Sequence, residues 1–159
     1  SMIYFVDLDF TITDPTHRLA KMPTENLDKV ESWIEYNKAC GGDSPIYDVI
    51  RVINALSDNG HLIYILTGRS SHAYMETIDW LISNGVCFDK IFMRGRTDSR
   101  KDYHIKLEVI KSFDKDEVVG VFEDNPEVIK VLRENGYRVF DVGNHKDKTR
   151  ADIANHGHD

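Results

Sequence analysis

The sequence predicts an α/β fold, a three-layer sandwich with a five-stranded parallel sheet between helices. Short apolar runs recur along the chain, and each is separated from the next by a stretch with helical spacing, the alternation that builds βαβ units. Polar groups close three of these runs, Asp7-Leu8-Asp9, Thr67-Gly68-Arg69 and Glu123-Asp124, at the carboxyl ends where open α/β sheets hold their ligands. Right-handed crossovers between the strands place helices on both faces.

Each element follows from its residues. Residues 2–6 form the first strand, and the acids of Asp7-Leu8-Asp9 stand where it leaves the sheet. A proline-containing loop over 14–23 leads to a helix over about 25–40, whose apolar residues Leu27, Val30 and Ile34 mark only part of a face, and Gly41-Gly42 ends it. Ser44-Pro45 reads as N-cap and first turn of a second helix, with Ile46, Val49, Ile50, Ile53 and Leu56 at spacings of three and four. Residues 61–66 form the second strand. Ser70 or Ser71 caps a helix carrying Met75, Ile78, Leu81 and Ile82, which Asn84-Gly85 closes. Then come a strand over 88–93, a helix over 102–113, a strand over 118–122, a helix started by Asn125-Pro126, and a fifth strand over 137–142. Residues 144–159 read as a polar tail, in which His156 and His158 are expected to be inert.

Composition limits the function classes. The 159 residues carry 20 Lys+Arg against 27 Asp+Glu, a net charge of −7, and 41% of them are hydrophobic, as in one globular domain. No apolar run approaches the roughly 18 residues of a membrane span, no signal peptide is evident, and Cys40 and Cys87 lack metal or redox spacing, so the expected compartment is the cytoplasm. The acidic balance counts against coating nucleic acid through counterion release. A local basic cluster, Arg94, Arg96, Arg100 and Lys101, leaves phosphate recognition open.

The strand-end acids carry the chemistry. Asp7 and Asp9 start in opposite directions along a strand, so both reach one pocket only if the backbone bends just beyond it. If Glu123 and Asp124 approach from a neighbouring strand, each pair of carboxylates at about 4 Å repels by roughly 4 kcal/mol at an effective dielectric of 20. A cation must compensate, and an all-oxygen ligand set suits Mg²⁺. Thr67 offers a hydroxyl, Gly68 a close backbone approach, Arg69 a bidentate fork for phosphate, and Lys106 a charge four residues after Asp102 on one helical face.

Asp7-Leu8-Asp9-Phe10-Thr11 resembles the first motif of the haloacid-dehalogenase phosphatases, with Thr67, Lys106 and Glu123-Asp124 matching the second, third and fourth. Within that superfamily the chain is most similar to the 3′-phosphatase domain of phage polynucleotide kinases and its stand-alone phage and bacterial relatives. Thr16-His17-Arg18-Leu19, the 100–106 segment and Val139-Phe140-Asp141-Val142-Gly143 extend the likeness. The resemblance implies a Rossmann-like sheet ordered third, second, first, fourth and fifth strand, a phosphatase domain over 2–143, and a small helical cap within 13–44. It implies Asp7 as nucleophile, Asp9 as general acid and base, and Thr67 and Lys106 as holders of the phosphoryl oxygens. Asp7, Asp9, Asp124 and Glu123 are the implied Mg²⁺ site. Arg18, Arg69, Asp102 and Lys106 match positions that the family needs for activity, and Thr11, His17, Gly68 and Arg96 complete the expected substrate contacts, at a nucleic-acid 3′ end or a nucleotide. Trp33 and Tyr36 lie in the implied cap, where an aromatic ring either packs the cap or meets a base. Phe10 stands where such enzymes usually carry glycine, and Glu123 where the nearest relatives carry aspartate. No GxxxxGK[ST] phosphate loop of a kinase occurs in these residues. The alternatives are a 5′(3′)-nucleotidase acting on free mononucleotides and an inactive module that binds nucleic-acid ends. A phosphoacceptor receiver domain is disfavoured, because its phosphorylated aspartate would fall at Met93-Arg94.

Overall fold

A computed structural model of the chain describes residues 2–143 together with 156–157. Its strands in chain order are β1 (Ile3–Val6), β2 (Thr13–Asp14), β3 (Ser44–Pro45), β4 (Leu62–Ser70), β5 (Lys90–Arg94), β6 (Val118–Glu123) and β7 (Val139–Asp141). Its α-helices are α1 (Ile34–Lys38), α2 (Tyr47–Asp58), α3 (Tyr74–Ser83), α4 (Asp102–Lys111) and α5 (Pro126–Glu134). The main sheet is ordered β5-β4-β1-β6-β7 and every pairing in it is parallel, which is the expected order.

Side-chain alternation along the strands feeds two cores. Phe5, Tyr64, Leu66 and Val121 pack with Ile110 of α4 and Val128, Ile129 and Leu132 of α5. On the other face Val6, Ile63 and Ile65 meet Ile50 and Ile53 of α2 and Trp80 and Leu81 of α3. Consecutive strand residues point oppositely, so a strand buried on both faces must be apolar at every position. Among the described residues Cys40 is buried, Cys87 is exposed and both are free thiols.

Several elements depart from expectation. Residues 25–29 are not helical. The insertion between β2 and β3 consists of 3₁₀ turns at Thr16–Lys21, Val30–Trp33 and Ala39–Gly42 around the short α1. The weak apolar stripe noted there lacks the period to sustain four helical turns. Ser44-Pro45 does not begin a helix. It pairs antiparallel with Thr13-Asp14, closing the insertion at its neck, and α2 starts at Tyr47. In α3 the buried residues are Thr77, Trp80 and Leu81, while Met75 and Ile82 are exposed. Asn125 caps α5 as expected, its side chain accepting from the Glu127 N–H at 3.0 Å.

Candidate active site

Beyond β1 the chain turns sharply. The Leu8 carbonyl accepts the N–H groups of Thr11, Ile12 and Thr13 at 3.0, 2.9 and 3.2 Å, and Phe10 adopts a left-handed φ of 63°. That turn sends the two acids of the strand end to different partners. Asp7 Oδ1 accepts from Lys106 Nζ at 2.9 Å and its Oδ2 accepts from Thr11 Oγ1 at 3.1 Å. The same Thr11 hydroxyl lies 3.3 Å from Asp124 Oδ1. Lys106 also donates to Glu123 Oε1 at 2.6 Å. Thus α4 delivers a buried ammonium between acids at the ends of two adjacent strands.

Electrostatics follow from this arrangement. Burial raises the Asp7 carboxyl, but the Lys106 ammonium and the surrounding hydrogen bonds hold it below the ordinary carboxylate range. Glu123 moves the other way, pushed up to about 7 by burial and the Asp7 charge. Burial opposes the Lys106 charge, and Asp7 and Glu123 more than compensate, so its proton is held more tightly than a free lysine's.

Asp9 faces a second, cationic wall. Its Oδ1 accepts from Arg18 Nη2 at 2.6 Å and Arg69 Nη2 at 2.8 Å. Despite burial, these guanidiniums keep Asp9 far below the usual carboxylate range. A general acid and base working near neutral pH needs a carboxyl held higher than this state holds Asp9. Arg18 is committed throughout: Nε and Nη2 donate to Asp43 at 2.8 Å each, and Nη1 donates to the Tyr36 carbonyl at 3.0 Å. All three guanidinium nitrogens are thus engaged within the protein. Asp43 was missed in the sequence, since nothing local distinguishes a loop aspartate after Gly41-Gly42; only the demand of a buried arginine for a carboxylate partner identifies it.

Thr67, Gly68 and Arg69 sit in the last turn of β4, where the pairing with β5 shifts register between Thr67 and Ser70. Thr67 Oγ1 accepts the Arg69 N–H at 3.0 Å, and Arg69 Nη1 donates to Thr77 Oγ1 at 2.9 Å. A Cβ on Gly68 would stand 2.1 Å from Asp102 Oδ1, so only glycine fits beside that carboxylate. Asp102 begins α4 and accepts from Arg94 Nη2 at 2.5 Å.

The structure brings Asp7, Asp9, Thr67, Gly68, Arg69 and Asp102 to one cavity, roofed by Trp33, Tyr36, Asn37 and His156. Other expected contacts lie elsewhere. His17 Nε2 is 2.8 Å from Asp43 Oδ1, and His17 is not among the residues lining the cavity. Arg96 is exposed on the loop after β5. Within the basic cluster, Arg94 is fully buried and tied to the Gly68 carbonyl and Asp102, and Arg100 pairs with Asp98 and Glu108. The expectation of an inert His156 is corrected: it is 7% exposed, and burial drives its imidazole down to about 4. His158 and residues 144–155 lie outside the described residues. Larger depressions, about 520 and 650 Å³, occur near α5 and β7 and contain none of the site acids.

Asp7, Glu123 and Asp124 each bring a carboxylate oxygen within 4.8 Å of the others, an oxygen-only set that fits a hard divalent cation. Both Glu123 oxygens are already engaged, Oε1 by Lys106 and Oε2 by the N–H groups of Asp124 and Asn125 at 2.9 and 3.2 Å. Asp7 is likewise engaged on both oxygens, by Lys106 and by the Thr11 hydroxyl. Asp9, expected in this set, has its carboxylate turned to the arginines.

A family model described as the polynucleotide kinase PNKP phosphatase domain matches residues 2–146. A protein of Autographa californica nuclear polyhedrosis virus, described as a bifunctional polynucleotide kinase/RNA ligase, is 28% identical over 135 residues, which is 80% of this chain and 17% of that protein. The chain therefore spans about a sixth of that relative's length. Among solved structures, a chain of the Pnkp1/Rnl/Hen1 RNA repair complex superposes with a TM-score of 0.72 at 22% identity, covering 89% of this chain and 42% of its own. A Clostridium difficile phosphatase gives 0.66 at 16% identity, over 89% of this chain and 86% of its own. Together with the acids at the ends of β1 and β6, the lysine of α4 and the Thr67-Gly68-Arg69 turn, the family match makes this chain a member of the polynucleotide kinase phosphatase-domain family, a phosphatase of the haloacid-dehalogenase type.

Proposed function

We propose that this phosphatase removes the phosphate from 3′ ends of nucleic acids through an aspartyl-phosphate on Asp7. The observation that carries the reading is the pairing of two differently held carboxylates over one cavity, Asp7 on Lys106 and Thr11, Asp9 on two arginines. An Asp7 oxygen attacks phosphorus, and the bond from phosphorus to the sugar oxygen breaks. The leaving oxygen takes a proton from Asp9. Water then attacks the phosphorus, Asp9 takes its proton, and the bond to Asp7 breaks, releasing phosphate. Thr67 and Lys106 hold the phosphoryl oxygens. An entering phosphate dianion competes with Asp9 for Arg69, which loosens the guanidinium grip and makes protonation of Asp9 accessible. Asp7 and Asp124 would hold Mg²⁺, which neutralises charge on the phosphoryl group.

One observation favours release of phosphate from mononucleotides. With Arg94 buried and Arg100 ion-paired, two of the four basic residues of the cluster are already committed within the protein and not held out to a second backbone phosphate. Steady-state kcat/KM for a 3′-phosphorylated oligonucleotide against 5′-mononucleotides, at two salt concentrations, separates the readings. The 3′-phosphatase reading expects the oligonucleotide to be the better substrate and to lose more as salt rises. Equal or greater kcat/KM for 5′-mononucleotides establishes the nucleotidase.

A further inference from the structure

The cavity roof contains groups that the phosphoryl chemistry leaves unused. The imidazole of His156 stacks on the indole of Trp33, with centroids 4.0 Å apart and planes at 27°. Beside them the Tyr36 hydroxyl and Asn37 Nδ2 are buried with no hydrogen-bond partner among the described residues, and each of these residues is 2% exposed. Unpaired buried polar atoms are costly, so two of them on the wall of one cavity point to a ligand that satisfies them. A cavity lined by an indole, an unpaired amide nitrogen and an unpaired hydroxyl suits a planar heteroaromatic with polar edges. A nucleobase has that chemistry, and base stacking on aromatic side chains tolerates any base.

We propose that Trp33, Tyr36 and Asn37 form the subsite for the nucleobase next to the scissile phosphate, and that His156 occupies it in the free protein, so that base and imidazole compete for the Trp33 face. The inference deepens the reading of the enzyme as one that acts on nucleotide ends and rests on it. Available space supports competition: the cavity above the acids holds about 30 Å³, room for little more than water, so a base enters only when His156 leaves. The held position is reinforced next door. Gly157 N–H donates to the Leu27 carbonyl at 3.0 Å, the same carbonyl that accepts from Trp33 Nε1. Gly157 has a φ of +82°, and a Cβ there would stand 2.7 Å from the Arg100 carbonyl oxygen. Any larger residue at 157 therefore dislodges its neighbour without touching Trp33.

The test uses the full chain carrying Asp7→Asn, so that ligand is bound without turnover. A nucleoside 3′-phosphate and the matching sugar 3′-phosphate without a base are titrated by calorimetry and by tryptophan emission. Adding His156→Ala or Gly157→Val should each tighten nucleoside 3′-phosphate binding about fivefold or more, since stacking is released from competition. The baseless ester should change less than twofold. Asn37→Ala in the His156→Ala background should reverse part of the gain. Unchanged or weaker binding of the nucleoside phosphate, or an equal gain for both ligands, overturns the subsite. Base-dependent competition in the Asp7→Asn chain, together with no hydrolysis of a 3′-phosphorylated oligonucleotide by the chain that keeps Asp7, would retire the functional reading and keep the subsite.

Discussion

Asp9 and Asp7 are two residues apart, yet their replacement has different expected costs. Asp7→Asn leaves Lys106 still paired with Glu123 at 2.6 Å, so the fold should hold while turnover disappears. Phosphate release and thermal unfolding check both halves, and retention of more than about a tenth of the activity, roughly 1.4 kcal/mol of barrier, would exclude it as nucleophile. Asp9→Asn leaves Arg18 its partner Asp43 but strips Arg69 of its only carboxylate closer than 3.9 Å among the described residues. A loss of about 3 kcal/mol in unfolding free energy is expected, as for a buried pair missing one member. The same depressed carboxyl stabilises the fold above its unfolded value near pH 4 and loses that contribution as pH falls below it. Phe10 gives a third test at this scale. Its left-handed φ strains the backbone by about 1–2 kcal/mol, while its ring packs partly buried against Trp33 and Tyr36. Phe10→Gly relieves the strain that Phe10→Ala keeps, so glycine should be the milder replacement by about 1 kcal/mol in thermal or denaturant unfolding.

At the scale of elements, β4 is the functional strand. It runs on through Thr67-Gly68-Arg69, so a single segment packs the core with Ile63 and Ile65 and ends in a hydroxyl, a glycine and a guanidinium at the cavity. Gly68→Ala should force Asp102 and the start of α4 away. An overpacking loss of about 1–3 kcal/mol in stability is expected, with kcat/KM falling roughly tenfold or more. Thermal unfolding and steady-state kinetics measure these. The strands and the strand-end acids were legible in the sequence because buried parallel strands are continuous apolar runs and because motif spacing is local, while the sheet order came with the family resemblance. The insertion was not. Its 3₁₀ turns and the Thr13–Pro45 pairing depend on contacts across some thirty residues, and Ser44-Pro45 satisfies helix-start chemistry equally well on paper. Likewise Arg94 carries the composition of a binding loop, and only its burial against the Gly68 carbonyl reveals a structural brace.

Over the whole molecule, acids outnumber bases, and the site concentrates that imbalance. Activity should vanish in excess chelator and return with Mg²⁺. The unfolding midpoint should rise with added Mg²⁺, because an ion bound only by the folded state stabilises it. Rescue by Zn²⁺ alone would point to other ligands. His156 gives a second global handle. It faces Asp102 and Asp9, which favour its proton, and Arg94 and Lys101, which oppose it. With its value depressed by burial from 6.5 to about 4, its docking is complete above about pH 6.5 and is lost as pH falls through 4. Near-ultraviolet circular dichroism of Trp33 should follow that window, and His156→Ala should abolish the transition. Among the described residues no helix is long and apolar enough to cross a membrane. The position of β1 has one more consequence. It lies between β4 and β6, so the first strand of this sheet in chain order must wait for residues 62–65 on one side and 118–122 on the other. During translation Ile3–Val6 therefore leaves the ribosome as an apolar ribbon with both hydrogen-bonding edges open. Any stall or truncation before residue 118 leaves one edge available to other nascent chains, so aggregates of shortened products should be seeded through β1.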